Sequence, residues 1–233
     1  MTRSQVRIAI VTGASRGLGL ALARRLAHDG YTLVIDARGT DDLERTRTEL
    51  AKLTKVIALP GDVSDPDHRE SLVDAAHGQL ALLVNNASIL GPSPQPPLAD
   101  YPLDILEQVY RTNVIAPLGL IQLALPLLRR SQGTVINITS DAALEAYEGW
   151  GGYGSSKAGL EQLSRILAAE ESGVRVYWVD PGDMNTQMHQ EAYPGEDISD
   201  RPPPEASVPG LMNLIESDRP SGRYTVRELV PTQ

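Results

Sequence analysis

The chain predicts an α/β fold, a doubly wound and mostly parallel sheet of seven strands with helices on both faces. Three observations carry that reading. Short apolar runs alternate with amphipathic helical segments along almost the whole sequence, the pattern of repeated strand–helix–strand units with right-handed crossovers. A glycine-rich turn joins the first apolar run to the first helix. The chemically suggestive residues fall just after strands, which is where ligands bind in doubly wound sheets.

The first strand spans 6–11, an apolar, β-branched run of the kind buried on both faces. Thr12-Gly13-Ala14-Ser15-Arg16-Gly17-Leu18-Gly19 follows directly, and then a helix that ends at Gly30. Strand, Gly-rich turn and helix form the context of a dinucleotide site. The glycines let the backbone approach a pyrophosphate, and the helix N-terminus offers free N–H groups. The spacing is Gly-x-x-x-Gly-x-Gly rather than the general Gly-x-Gly-x-x-Gly. A second strand covers 31–35, an amphipathic helix 41–53 and a third strand 55–59. Asp62 and Val63 come just after that strand, and Asp65-Pro66 opens a helix to about residue 76.

The fourth strand, 80–84, runs into Asn85-Asn86-Ala87-Ser88, followed by a stretch at 91–97 too Pro-rich for regular structure. A long helix over 103–130 carries Pro117 and Pro126, which predict a kink or break. The fifth strand, 134–139, ends at Ser140, and a helix covers 151–172. The sixth strand, 174–179, ends at Asp180-Pro181-Gly182. Residues 205–216 predict a short helix interrupted near Pro209-Gly210, and 223–229 a last strand. No linker divides residues 1–233, so one domain is expected, with a small substrate lobe at about 183–205.

Composition narrows the function classes. The formal charge is −9, from 21 basic and 30 acidic residues, which argues against nucleic acid or an anionic membrane as partner. Without cysteine there is no disulfide, thiol chemistry or thiolate-bound zinc. The four histidines lack metal-site spacing and read as surface residues; no metal is expected. No run approaches ~18 apolar residues and no signal segment is visible, which predicts a cytoplasmic protein.

The helix at 151–172 holds Tyr153 and Lys157. Residues at i and i+4 share a helix face, so a phenol lies beside an ammonium. A fixed positive charge favours the phenolate and would lower its pKa toward the range useful in acid–base work.

Taken together, the turn at 12–19, Asp62-Val63, Asn85-Asn86-Ala87, Asn113, Ser140, Tyr153-x-x-x-Lys157 and Pro181-Gly182 resemble the short-chain dehydrogenase/reductase family over about residues 6–229. One departure is Ser88, where the family usually has Gly. The resemblance implies a single Rossmann domain and hydride transfer between a nicotinamide and a carbonyl or secondary alcohol. It implies Tyr153 as general acid, Lys157 as the group that lowers its pKa and holds the nicotinamide ribose, and Ser140 as donor to the substrate oxygen. Asn113 would hold a water linking Lys157 to solvent. Gly13, Ser15, Arg16, Gly17, Leu18 and Gly19 would cradle the phosphates. Asp62 and Val63 would border the adenine, Asn86 and Ala87 would also contact the cofactor, and Pro181, Gly182, Met184 and Thr186 would close on the nicotinamide carboxamide and phosphates.

Cofactor choice turns on the end of the second strand. The acid that selects NAD in this family aligns with Ala37, followed by Arg38, and Arg16 lies in the Gly-rich turn. Two guanidiniums suit a 2′-phosphate and favour NADP(H); Asp36, one place earlier, keeps NAD(H) as the alternative. Asp141, Trp150 and Met188 are candidate substrate contacts beside Ser140. The family also implies a homodimer or homotetramer. A non-catalytic dinucleotide-binding sensor or scaffold is the competing reading, because a fold does not give function by itself.

Overall fold

The computed structural model describes residues 7–229. Strands and helices alternate as β1 (Ile8–Val11), α1 (Gly17–His28), β2 (Thr32–Ala37), α2 (Thr40–Leu50), β3 (Val56–Pro60), α3 (Pro66–Asp74), β4 (Leu82–Asn85), α4 (Leu103–Tyr110), α5 (Ala116–Ser131), β5 (Thr134–Ile138), α6 (Gly151–Glu170), β6 (Arg175–Asp180), α7 (Gln187–Ala192), α8 (Val208–Glu216), β7 (Gly222–Thr225) and α9 (Val226–Leu229). The strands form one sheet in the order β3-β2-β1-β4-β5-β6-β7, and every pairing is parallel. Val6, the expected first residue of the first strand, lies outside the described residues.

Strand side chains alternate between two cores. Ala9, Val11, Leu33, Ile35 and Val84 pack on one face with α1 and α8. Ile8, Ile10, Val34, Leu83 and Val135 pack on the other with α3 and α5. With no Phe in the chain, aliphatic side chains fill most of both layers, joined in the first by Tyr31 and Tyr177.

The strand order reverses between β1 and β4, so a crevice opens above their carboxyl ends. Thr12 and Asn86 tie its two lips together. Thr12 Oγ1 accepts from the backbone N–H groups of Asn86 (2.9 Å) and Ala87 (3.0 Å). Asn86 Nδ2 donates to the carbonyl of Thr12 (2.8 Å). Asp65 caps α3 by accepting from the N–H of Asp67, with Pro66 in the first turn.

Several expectations need correction. The helix expected over 103–130 is continuous but contains a π-helical turn, Arg111–Ile115. Pro117 has no N–H for the carbonyl four residues back, that of Asn113, so the register shifts before the proline rather than at it. Pro126 lies within α5. The whole stretch, Leu103–Ser131, is by length and composition long and apolar enough to cross a membrane, contrary to the sequence reading, and half of its apolar window is buried.

The interruption expected near Pro209 is absent. A 3₁₀ turn, Pro204–Ser207, leads into an unbroken α8. Pro209 sits in the first turn of α8, where its missing N–H costs nothing. The last strand stops at Thr225, because Val226 and Leu229 bury on one face of a helical turn and Glu228 accepts from the N–H of Thr225 (3.2 Å). α7 had no counterpart in the sequence reading. His68 and His189 are half-buried rather than on the surface, with side chains 9% and 11% exposed.

The close approach of α1 to the turn needs glycine. A Cβ at Gly19 would collide with the carbonyl of Gly13 and lie 2.6 Å from Asn86 Nδ2. Gly19→Ala should therefore cost about 1–3 kcal/mol. The expected result is a lower urea midpoint with an unchanged m-value; an unchanged midpoint would contradict the packing described.

Candidate active site

A cleft of about 1230 Å³ runs along the carboxyl ends of the strands, from Arg38 and Asp62 at one end to Tyr193 at the other. The residues singled out in the sequence line it, with two exceptions. Gly19 is packed behind the turn, and Asn113 is buried beneath the cleft floor.

At the β1 end the backbone of Gly13 and Gly17 has positive φ (65° and 55°), a conformation that favours glycine. α1 starts at Gly17 with no acidic residue in its first turn, so its N-terminal N–H groups and dipole face the cleft without a competing charge. Asp36 does not face a ribose. Its Oδ1 accepts from the N–H of Gly13 (2.8 Å), and its Oδ2 meets His68 Nε2 at 3.2 Å. Burial raises the pKa of Asp36, opposed by His68 and Gly13. Burial pushes the pKa of Asp62 up, but hydrogen bonds from Ser64 and then the charge of Arg38, which is exposed, outweigh it and lower the value. Arg16 reaches across to Gln187 of α7.

At the β5 end, α6 delivers Tyr153 and Lys157. Lys157 is buried and its Nζ donates to the carbonyl of Ile138 (2.8 Å). Its Nζ lies 5.4 Å from the centre of the Tyr153 ring. Burial pushes the Lys157 amine down to about 8, so it keeps its proton at neutral pH. The lowering of Tyr153 expected from Lys157 is not what the surroundings produce. Burial raises its pKa, and the charges of Asp180 and Asp141 add to that, while hydrogen bonds with Ser140 and Ser88 oppose it. The Ser140 hydroxyl donates to Asp141 Oδ1 (2.9 Å) and accepts from the N–H of Ala142 (3.2 Å).

Asn113 spends its whole side chain on structure. Its Oδ1 accepts from Ser88 Oγ (3.1 Å) and the N–H of Ile89 (2.9 Å). Its Nδ2 donates to the carbonyl of Ile89 (2.9 Å) and to Ser156 Oγ (3.0 Å). Thr186 caps α7 through the N–H of His189, and Met188 packs with Trp150 against Leu90, Ala142 and Tyr153.

Sequence reasoning missed the contributions of Ser88, Asp180, Tyr147, Tyr193 and His189. One signal was available: Tyr147, Trp150 and Tyr153 recur every third residue. The partners of Asp36 and Asp180, His68 and Arg223, come from distant segments and leave no local signature.

Comparison with known proteins agrees with this architecture. Residues 7–197 match the family model for short chain dehydrogenases. The rhamnolipids biosynthesis 3-oxoacyl-[acyl-carrier-protein] reductase of Pseudomonas aeruginosa is 39% identical over 78% of this chain and 74% of its own. An NADPH-dependent aldehyde reductase-like protein of Arabidopsis thaliana is 30% identical over 97% of this chain and 85% of its own. The structure of an alcohol dehydrogenase from Thermococcus sibiricus, complexed with 5-hydroxy-NADP, superposes with a TM-score of 0.86 at 27% identity, covering 95% of this chain and 96% of that one. The chain belongs to the short-chain dehydrogenase/reductase family of oxidoreductases, which bind a nicotinamide dinucleotide and act on small molecules.

Lys157 supplies a test of the site's electrostatics. Its amine binds a proton up to an ordinary 10.5 when unfolded and only to about 8 when folded. Between those values the unfolded chain holds more protons, so the folded state gains stability as pH rises. Lys157→Met lacks this gain. Urea melts of both proteins at pH 7 and at pH 10 should show the variant's relative stability falling as pH rises. A pH-independent difference would contradict the burial of a charged amine.

Proposed function

We propose that the protein is an NADP(H)-dependent carbonyl reductase, or alcohol dehydrogenase in reverse, with Tyr153 as the acid–base group. The observation that carries this reading is the placement of Ser140, Tyr153 and Lys157 together in the cleft, continuous with the Gly-rich turn. The turn fits the cofactor: free helix N–H groups, positive-φ glycines and no acid in the first turn. Gly13, Ser15, Arg16, Gly17 and Leu18 would hold the phosphates, Asp62, Val63 and Ala87 the adenine side, and Pro181, Gly182, Met184 and Thr186 the nicotinamide side.

The preference for NADP(H) rests on Asp36 and Arg38. Both oxygens of Asp36 are engaged, by Gly13 and His68, which removes the acid that would take a ribose 2′-hydroxyl. Arg38 and Arg16 both line the cleft, and their guanidiniums would offer a 2′-phosphate charge-assisted hydrogen bonds, Arg16 on release from Gln187. The names of the Arabidopsis and Thermococcus relatives point the same way.

A nicotinamide held in the cleft would supply the hydride that the carbonyl carbon takes up. The protein supplies the rest. Tyr153, protonated at neutral pH because its surroundings raise its pKa, gives its proton to the carbonyl oxygen as the alcohol forms. Ser140 turns its hydroxyl from Asp141 to that oxygen, placing a donor where negative charge develops. Lys157 keeps a positive charge beside the phenolate and draws a replacement proton from solvent. A relay water at Asn113 would use the backbone carbonyl, because the side chain is fully engaged and Pro117 offers that carbonyl no N–H. The same reading assigns a homodimer or homotetramer. It is supported by exposed apolar residues on the long helical stretch 103–131, Leu103 and Ile115, and on α6, Ile166.

Fluorescence titration with NADPH and with NADH, reported by Trp150, tests the cofactor assignment. NADPH should bind more tightly, and Arg38→Ala should weaken NADPH by about tenfold while sparing NADH. Tighter NADH binding would return the choice to Asp36. Tyr153→Phe should abolish NADPH-dependent ketone reduction and retain NADPH binding; retained turnover would remove Tyr153 from its role.

A further inference from the structure

The aromatic residues of this chain are unevenly placed. It has two Trp, eight Tyr and no Phe, yet Tyr147, Trp150, Tyr153 and Tyr193 all line the substrate half of the cleft. Trp150 is their hub. Its ring centre lies 6.0 Å from that of Tyr147, 5.8 Å from Tyr153 and 5.9 Å from Tyr193, at interplanar angles of 63°, 75° and 49°. None of these pairs is stacked face to face, and the Tyr153 ring already has Lys157 Nζ 5.4 Å from its centre. Tyr147 is 45% exposed, and Trp150 and Tyr193 are partly exposed, unlike rings consumed in core packing.

One carboxylate of this wall stands apart from the rest. Asp180 is met by Arg223 at 3.5 Å, and Asp183 by Arg201 at 3.7 Å. Asp141 has no cationic partner among the described residues. Three neutral donors hold it instead: the Ser140 hydroxyl (2.9 Å) and the Ala142 N–H (2.8 Å) on Oδ1, and the Tyr147 hydroxyl (2.9 Å) on Oδ2. Lys157, the lysine in this half of the cleft, spends a donor on Ile138. The result is a fixed carboxylate without a countercharge, hydrogen-bonded to the tyrosine at one end of the ring cluster and to the serine proposed to hold the substrate oxygen.

We propose that this wall selects carbonyl substrates bearing a cationic ammonium group one or two carbons from the carbonyl. The inference rests on the carbonyl-reductase reading above. Aromatic faces attract a desolvated cation, Trp most strongly, and a carboxylate in reach adds a directed Coulombic term. A neutral ketone of the same shape receives only the apolar contact of the rings, Leu90 and Met188. An anionic substrate meets Asp141, which has no countercharge among the described residues to offset the repulsion. The direct bond between Ser140 and Asp141 sets the short spacing, since the carbonyl oxygen and the ammonium would contact adjacent residues.

The test uses two isosteric ketones, (2-oxopropyl)trimethylammonium and 4,4-dimethyl-2-pentanone, which differ in a nitrogen for a carbon and in charge. Calorimetry on the full chain, with and without NADP⁺, should show the cation binding about tenfold more tightly. That ratio should fall toward one in Asp141→Asn, in Trp150→Leu and at high salt. Equal affinities, or tighter binding of the neutral ketone, would overturn the proposal, as would a ratio unchanged in both variants. Turnover with NADPH separates the two readings. Cation-selective binding with no reduction of either ketone would fail the reductase reading and keep the cation site. Reduction of both with equal kcat/KM would keep the reductase and remove the cation site.

Discussion

The polar seam that locks α6 against the carboxyl end of β5 is the constraint on which the site depends. Lys157, Glu161 and Ser164 recur at i, i+4 and i+7, so they share one face of α6. Lys157 donates to the carbonyl of Ile138 (2.8 Å), Glu161 accepts from Thr139 Oγ1 (2.9 Å), and Ser164 Oγ accepts from Asn137 Nδ2 (2.8 Å). All three are buried. Sliding the helix by one residue would strand every one of these groups, at about 1–3 kcal/mol each. Arg223 of β7 closes the seam by pairing with Glu161 at 2.9 Å, so the buried carboxylate is not left uncompensated. Tyr153, one turn before Lys157, inherits its position from this lock.

A second lock joins the two halves of the cleft. Ser156, next to Lys157, is bonded to Asn113, and Asn113 holds the loop after β4 through Ser88 and Ile89. The same loop is stapled to the Gly-rich turn through Asn86 and Thr12. The helix that carries the phenol, the loop at the cleft floor and the Gly-rich turn therefore form one hydrogen-bonded body. Reactive groups held this way need little reorganisation when charge develops on a substrate oxygen. Ser88, where the family usually has Gly, adds a hydroxyl to this body beside Tyr153.

Much of this was legible in the sequence because the signals are local. The strand–helix alternation, the turn at 12–19, Asp65-Pro66 and Tyr153-x-x-x-Lys157 each depend on neighbours within a few residues. What escaped depends on distant partners. His68 looks like a surface histidine until the fold sets it against Asp36. Tyr153 looks activated by Lys157 until burial and the charges of Asp180 and Asp141 are included. The π-helical turn at Asn113 is a middle case. Pro117 announced a disturbance, but the missing N–H acts four residues upstream, so the irregularity falls at 111–115. The last strand was overrun because Val226 and Leu229 satisfy an apolar strand pattern and a helical turn equally well.

The central claim is that this cleft brings a hydride donor to a carbonyl that Tyr153 protonates. Deuterium transfer tests it most directly. With NADPH deuterated on the transferable C4 position and a ketone substrate, the account predicts an alcohol carrying deuterium on the carbinol carbon, read by mass spectrometry. An alcohol without that deuterium, or no alcohol from any ketone that binds the cleft, would contradict it.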